Sequence, residues 1–294
     1  MRTVFALFLA ASLLFFPAAA AAPGRAPEGE TLTTGKGKSA REFILYRPAT
    51  VSGPVPVVMV FHGGGGGDGW MANKSRDLTR TLTDAGYAVA YMNGSARRDS
   101  EKLRTWNAVH CCAYAAKKKI NDAAYADAAI DLIDQRLGID RSRVFLTGHS
   151  NGAMLSYRLA GQMKTAPRAI APVSGAIFAD QPAIPARTSI FMYHAKNDEI
   201  LSFDGNPDGK AERWRTAPHV GFVKAETKLA DLKSCGPASP VSAPIGISTT
   251  TRTCAGGSVL IATAADTGGH EWPARPQADY RIEDALLAFF NSQR

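Results

Sequence analysis

Apolar residues along this chain follow two rhythms. Short, largely apolar runs cover residues 57–61, 86–92, 144–146, 169–175, 188–194 and 258–262. Unbroken apolar runs of this length, rich in β-branched and aromatic residues, suit strands covered on both faces. Residues 41–46 read as a further strand at the sheet edge. Between these runs, apolar residues recur at helical spacing over 70–84, 122–137, 153–163, 217–232 and 279–291. Asn121 stands where it would cap the 122–137 helix, and Gly138 where it would end it. Ala124, Ala128, Ile130, Leu132 and Ile133 are its expected buried face. The alternation predicts an α/β fold, with a mostly parallel central sheet and helices on both faces. Residues 23–37 are rich in Gly, Pro and Thr and are expected to be mobile. No internal repeat or linker interrupts the pattern, so residues 23–294 are expected to form a single domain.

Ligands of such sheets bind beyond the carboxyl ends of the strands. The chemistry-bearing residues of this chain follow strands. Val144, Phe145 and Leu146 run into Gly148-His149-Ser150-Asn151-Gly152, and a helical pattern follows. Strand, sharp turn and helix with a serine at the apex make a nucleophile elbow. The turn demands a strained backbone at Ser150, and the two glycines allow strand and helix to approach closely. Gly-x-Ser-x-Gly arises by chance in roughly one chain in ten of this length. The pentapeptide therefore needs partners, because a hydroxyl is a poor nucleophile unless a base takes its proton.

His270 lies in a Gly-Gly-His loop between the last strand and the last helix, where the chain order Ser, Asp, His places the base. His62 and His149 are expected to be structural. Asp198 directly follows the 188–194 strand and is the expected acid, with the adjacent Glu199 as its rival; Asp204 and Asp208 look like turn residues. The run of five glycines at residues 63–67 ends a buried strand and precedes a helix. It lacks the Gly-Lys-Ser/Thr of a phosphate cradle and reads as an oxyanion loop. The expected oxyanion donors are the N–H of Asn151, beside the serine, and that of Gly64.

Composition narrows the setting. Residues 1–22 open with a positive charge, continue as an apolar run and end in small residues, the pattern of a secretory signal peptide. The apolar run is too short to span a bilayer, and no later segment is apolar enough to do so. A secreted protein without stable membrane association is expected, extracellular or periplasmic. The net charge of +8 is spread along the 294 residues. Its densest cluster, Lys117-Lys118-Lys119, has no interleaved aromatics and reads as a solvated surface, so no nucleic-acid partner is expected. The four cysteines, Cys111, Cys112, Cys235 and Cys254, favour disulfides in an exported chain. Cys235 and Cys254 suit a local bridge. Cys111 and Cys112 form either a vicinal bond or two separate ones. No metal-ligand spacing accompanies them.

Taken together, Phe61-His62-Gly63-Gly64-Gly65, Thr105-Trp106-Asn107, Cys111-Cys112, the elbow, Asn197-Asp198 and Gly269-His270-Glu271-Trp272-Pro273 resemble the secreted polyhydroxybutyrate depolymerase/feruloyl esterase family of α/β-hydrolases. The resemblance covers nearly the whole chain after the leader. It implies the α/β-hydrolase fold, a Ser150–Asp198–His270 triad and oxyanion donors at Gly64 and Asn151. The implied partner is an ester substrate: a feruloyl or aryl ester of plant polysaccharide, or a short hydroxyalkanoate ester. The chain departs from the family pattern at His149, where leucine is common, and at Ala153, where glycine is. No linker or polymer-binding domain is expected beyond Arg294, and soluble or oligomeric esters are the expected substrates over solid polymer. Trp106 and Trp272 either line the substrate site or pack beneath the loops. A monomer is expected, and the chemistry requires no metal and no organic cofactor. The competing readings are a serine peptidase on the same fold and a non-catalytic cell-wall or carbohydrate-binding protein.

Overall fold

The computed structural model describes residues 28–37, 40–48, 50–98, 103–206, 208–211, 213–273 and 280–293. The expected leader, residues 1–22, lies outside them. The strands are β1 (Gly29–Thr34), β2 (Arg41–Tyr46), β3 (Val55–Phe61), β4 (Ala88–Met92), β5 (Ile139–His149), β6 (Ala169–Val173), β7 (Ser189–Ala195), β8 (Ser239–Val241), β9 (Ile247–Thr253) and β10 (Val259–Ala265). The helices are α1 (Asp68–Lys74), α2 (Arg76–Asp84), α3 (Ala113–Lys117), α4 (Asp122–Leu137), α5 (Asn151–Ala160), α6 (Phe222–Leu232) and α7 (Ile282–Asn291).

Among the described residues the strands form one sheet in the order β1-β2-β4-β3-β5-β6-β7-β10-β9-β8. The six central strands, β4 to β10, pair in parallel, and antiparallel strands extend both edges. Successive side chains of a strand face opposite ways, and the core divides accordingly. Val57, Met59 and Phe61 join the core beneath α4, α5 and α6. Val58 and Val60 join the core beneath α1, α2 and α7. Every residue of β3 is buried, which is why its sequence reads as a continuous apolar run. Full burial of each large side chain contributes about 1.5–3 kcal/mol relative to exposure, so the middle of the sheet is the rigid platform for everything beyond its carboxyl ends.

Several elements depart from the sequence expectation. Residues 29–34, inside the stretch expected to be mobile, pair with β2 over their whole length. The 70–84 helix is broken at Ser75, whose hydroxyl bonds back to Met71 O (2.8 Å) and meets the Tyr91 hydroxyl (2.9 Å). The 217–232 helix starts only at Phe222, after Pro218 and Gly221. In α4 the cap at Asn121 and the left-handed Gly138 are as expected, but the buried stripe is Asp122, Tyr125, Ala126, Ala129, Ile130 and Ile133. Ala124 is exposed and Ala128 and Leu132 only partly buried. An alanine-rich helix offers little contrast between faces, and its register is decided by what Tyr125 and the isoleucines reach. The described helices include none long and apolar enough to cross a membrane.

The elbow is clamped to the end of β3. A Cβ on Gly152 would stand 2.2 Å from Phe61 O and 2.6 Å from His62 O; one on Gly148 would stand 2.7 Å from Phe61 O. Both contacts are with backbone, which cannot move without dragging the central strand. A Gly152→Ala protein is therefore expected to lose about 3 kcal/mol of stability, read as a lower urea midpoint at unchanged m-value.

Candidate active site

Ser150 sits between β5 and α5 with φ 54° and ψ −118°, a conformation that costs a non-glycine residue about 1–3 kcal/mol. Its N–H donates to Val173 O at the end of β6 (3.1 Å), and the glycine contacts with β3 hold the other side. Three parallel strands thus present one hydroxyl beyond their carboxyl ends.

The adjacency of β7 and β10 supplies the partners. Ala195 pairs with Ala265 at the ends of these strands, so the loops carrying Asp198 and His270 lie side by side although 72 residues separate them. Gly269 N–H donates to Asn197 Oδ1 (2.9 Å) and joins the two loops. His270 Nδ1 lies 2.8 Å from Asp198 Oδ2, and His270 Nε2 lies 2.8 Å from Ser150 Oγ. The carboxylate only accepts, so Nδ1 carries the proton. Nε2 is left with its lone pair toward the serine hydroxyl, the tautomer a general base needs.

Asp198 is buried and fully bonded. Its Oδ1 accepts from Ile200 N–H (2.9 Å) and Leu201 N–H (2.8 Å); its Oδ2 faces His270 and, at 3.0 Å, His194 Nε2. Burial by itself raises this carboxyl. Hydrogen bonds from His194 and His270, the charge of His270 and the Leu201 N–H outweigh it and hold the group well below the usual carboxylate range. Glu199, the rival acid, is exposed.

The glycine loop folds over the elbow. A Cβ on Gly63 would stand 3.1 Å from His149 Nδ1 and 3.4 Å from Ser150 Cβ, and one on Gly64 would stand 3.7 Å from Asn151 Cβ. Gly65 N–H donates to Arg104 O (2.8 Å) and Gly66 N–H to Gly63 O (3.1 Å), so the loop is a bonded turn rather than a slack tether. His62 locks its base: Nε2 accepts from Gly94 N–H (2.9 Å), and Nδ1 donates to Gly63 O (2.7 Å). Burial pushes the His62 imidazole down to about 4, which keeps it neutral and in this tautomer at neutral pH.

Trp106 and Trp272 are not the aromatic wall considered from the sequence. Trp106 is 0% exposed, and its indole N–H donates to His62 O (2.8 Å). Its backbone N–H donates to Asn151 Oδ1 (2.8 Å), and its carbonyl accepts from Asn151 Nδ2 (3.3 Å). Trp106 thus ties the glycine loop to the elbow helix. Trp272 is 2% exposed, in the core beneath α1, α2 and α7. Both were drawn inward because a large apolar ring under a loop gains more from burial than at the rim. The tryptophans left exposed are Trp70 (45%) and Trp214 (49%). A Cβ on Gly66 would meet Trp70 Cε3 at 3.1 Å, so this ring lies against the glycine loop. Lys74 Nζ stands 5.1 Å from its centroid and pairs with Glu271, next to His270. The sequence signal for Trp70 is its place just after the glycine loop, at the start of the helical pattern.

Cys111 bonds to Cys112 and Cys235 to Cys254. The vicinal pair is buried with Ala108, Met154, Ala176, Phe178 and Leu201 beside the elbow. Next to it, His110 spans to Asp180 (2.9 Å) and Thr216 (2.9 Å), joining three loops. Among the described residues no group of three or more His, Cys, Asp or Glu is placed to hold a metal ion.

A model of the dienelactone hydrolase family matches residues 42–218, well over half the chain and including Ser150 and Asp198. NocK of Nocardia uniformis subsp. tsuyamanensis, assigned as an esterase, is 27% identical over 237 residues, 74% of this chain and 65% of NocK. An Aspergillus niger protein assigned as feruloyl esterase C is 32% identical over 93 residues, 32% of this chain and 34% of that protein. The chain thus spans less than two thirds of the length of these relatives. Among solved structures, the acetyl xylan esterase from Aspergillus awamori superposes with a TM-score of 0.64 at 14% identity, over 90% of this chain and 99% of that one. The fold is that of the α/β-hydrolases.

His149 packs against His270, with ring centroids 5.0 Å apart, and neither of its buried nitrogens has a hydrogen-bond partner. Burial, then the charges of His270 and Lys74, push it down to about 3. It is neutral in the folded chain but takes up a proton in the unfolded chain below its ordinary value of 6.5, so its contribution to stability declines as pH falls from 6.5 toward 3. A His149→Leu protein should gain about 1–2 kcal/mol by removing unpaired buried polar atoms. That gain should widen with acidification across this window in urea titrations.

Proposed function

The chain belongs to the dienelactone hydrolase family, and on that premise we propose that it is a secreted serine esterase. The observation that carries the reading is the hydrogen-bonded line from Ser150 Oγ through His270 to Asp198, with 2.8 Å at each link. In this reading Ser150 attacks the ester carbonyl as His270 Nε2 takes its proton. The new oxyanion is held by the N–H groups of Gly64 and Asn151, each worth about 3 kcal/mol of transition-state stabilisation. Asp198 keeps its charge throughout and stabilises the imidazolium. His270 then protonates the departing alkoxide, and water releases the acyl group by the same steps in reverse.

The substrates proposed are feruloyl or aryl esters of plant polysaccharide, or short hydroxyalkanoate esters. The resemblance of the motifs and the name of the Aspergillus niger relative support the first. The exposed face of Trp70 beside the glycine loop suits an aromatic ring or a sugar. Export is supported by the charge and apolar pattern of residues 1–22 and by the pairing of all four cysteines.

A Ser150→Ala protein should lose at least about 10⁴-fold in turnover of p-nitrophenyl acetate while keeping its thermal transition. Wild-type turnover by that variant would overturn the assignment. Trp70→Ala should raise KM for methyl ferulate about fivefold, with little change for p-nitrophenyl acetate, whose acyl group has no ring to stack.

A further inference from the structure

Asp198 is bonded by one histidine more than a triad requires. His194 is the penultimate residue of β7, four residues before the carboxylate, and is buried. Its ring lies edge-on to Phe203 (6.1 Å, 78°) and Phe222 (6.0 Å, 65°), which stack on each other at 4.9 Å. This apolar cage fixes the ring plane. Nε2 lies 2.8 Å from Leu201 O and 3.0 Å from Asp198 Oδ2. Both are acceptors, so Nε2 carries the proton and shares it between them. The same Oδ2 receives His270 Nδ1 at 2.8 Å.

We propose that His194 is a positioning residue for the esterase reaction: it clamps Asp198 Oδ2 in line with His270 by a second donor to the same oxygen. The inference rests on the esterase reading above. Without His194, Oδ2 would have His270 as its one side-chain donor, and the Ile200 and Leu201 amides would restrain only Oδ1, so the carboxylate would be held less firmly in line with the base. An anion with one donor fewer is also more basic, and it would hold a proton on His270 more tightly. The other buried imidazoles around this pair are His149, packed against His270 with its ring tilted, and His219; the charged Lys74–Glu271 pair lies next to His270. His219 accepts from Arg215 Nη1 at Nδ1 (2.6 Å) and donates from Nε2 to Ser202 O (2.9 Å). Burial pushes both imidazoles down, to about 3 and about 4, so neither changes charge where an esterase base titrates.

The test compares His194→Gln, His194→Asn and His194→Phe on p-nitrophenyl acetate, with Ser150→Ala alongside. The glutamine amide nitrogen reaches as far as Nε2; that of asparagine stops short; phenylalanine fills the cage without a donor. Asn and Phe should lower kcat about tenfold or more with KM nearly unchanged, while Gln stays within about threefold of wild type. The acid limb of the kcat/KM profile should move to higher pH in Asn and Phe and stay in place in Gln. Asparagine and glutamine proteins with the same rate and the same acid limb would overturn the role of His194, and the pair decides this even where Phe does not fold. Full activity in Ser150→Ala would instead overturn the esterase reading itself.

Discussion

The contact between the elbow and the end of β3 is the constraint on which the site depends. Phe61 O and His62 O occupy the space where Gly152 would carry a Cβ, and Phe61 O also crowds Gly148. With both side chains reduced to hydrogen, β5 can turn sharply into α5 against the neighbouring strand. That close approach stores backbone strain at Ser150, held there against β3, every residue of which is buried. The same contact brings the loop leaving β3 directly over the serine, with Gly64 beside Asn151. The Ser150 turn and the glycine loop are therefore not placed independently; one packing event sets both.

The second requirement is electrostatic. A carboxylate buried at the end of β7 must be satisfied in full, because each missing donor costs more there than in water. Asp198 meets this with two backbone amides and two imidazoles. The surrounding polar groups follow the same rule. His62 bonds through both nitrogens, Trp106 through indole and backbone, and Asn151 returns both polar atoms of its side chain to Trp106. His149 stands outside it: both nitrogens are buried and unpaired against His270. The result is a site whose loops are cross-linked by hydrogen bonds rather than by regular structure.

Much of this was legible along the chain, for reasons that are local. Doubly covered strands announce themselves as unbroken apolar runs, and β3, β4 and β7 lie where those runs do. The α4 boundaries were legible because Asn121 and Gly138 do their work within one turn of the helix. Less legible were features decided by distant partners. β1 has an unremarkable Thr-rich sequence and becomes a strand because β2 offers an open edge. The buried stripe of α4 differs from the expected one because alanine suits either face. The tryptophans of the Trp-Asn and His-x-Trp motifs suggested a substrate wall, whereas Trp106 and Trp272 are buried and Trp70, which no motif singled out, stays exposed.

The sequence by itself determined the order of the residues that meet at the site: a serine at a strand-to-helix apex, an aspartate just after a later strand, a histidine in a glycine loop after the last, and a glycine run ending another strand. Each depends on residues within a few positions of one another, where spacing carries the information. Only the tertiary structure decided that β7 and β10 are neighbours, that one carboxylate oxygen serves both His270 and His194, and which aromatic rings remain at the rim. Those outcomes turn on which strands pair and which loops gain more by being buried. That competition is settled across the whole sheet, among residues 72 or more positions apart, and no local pattern records it.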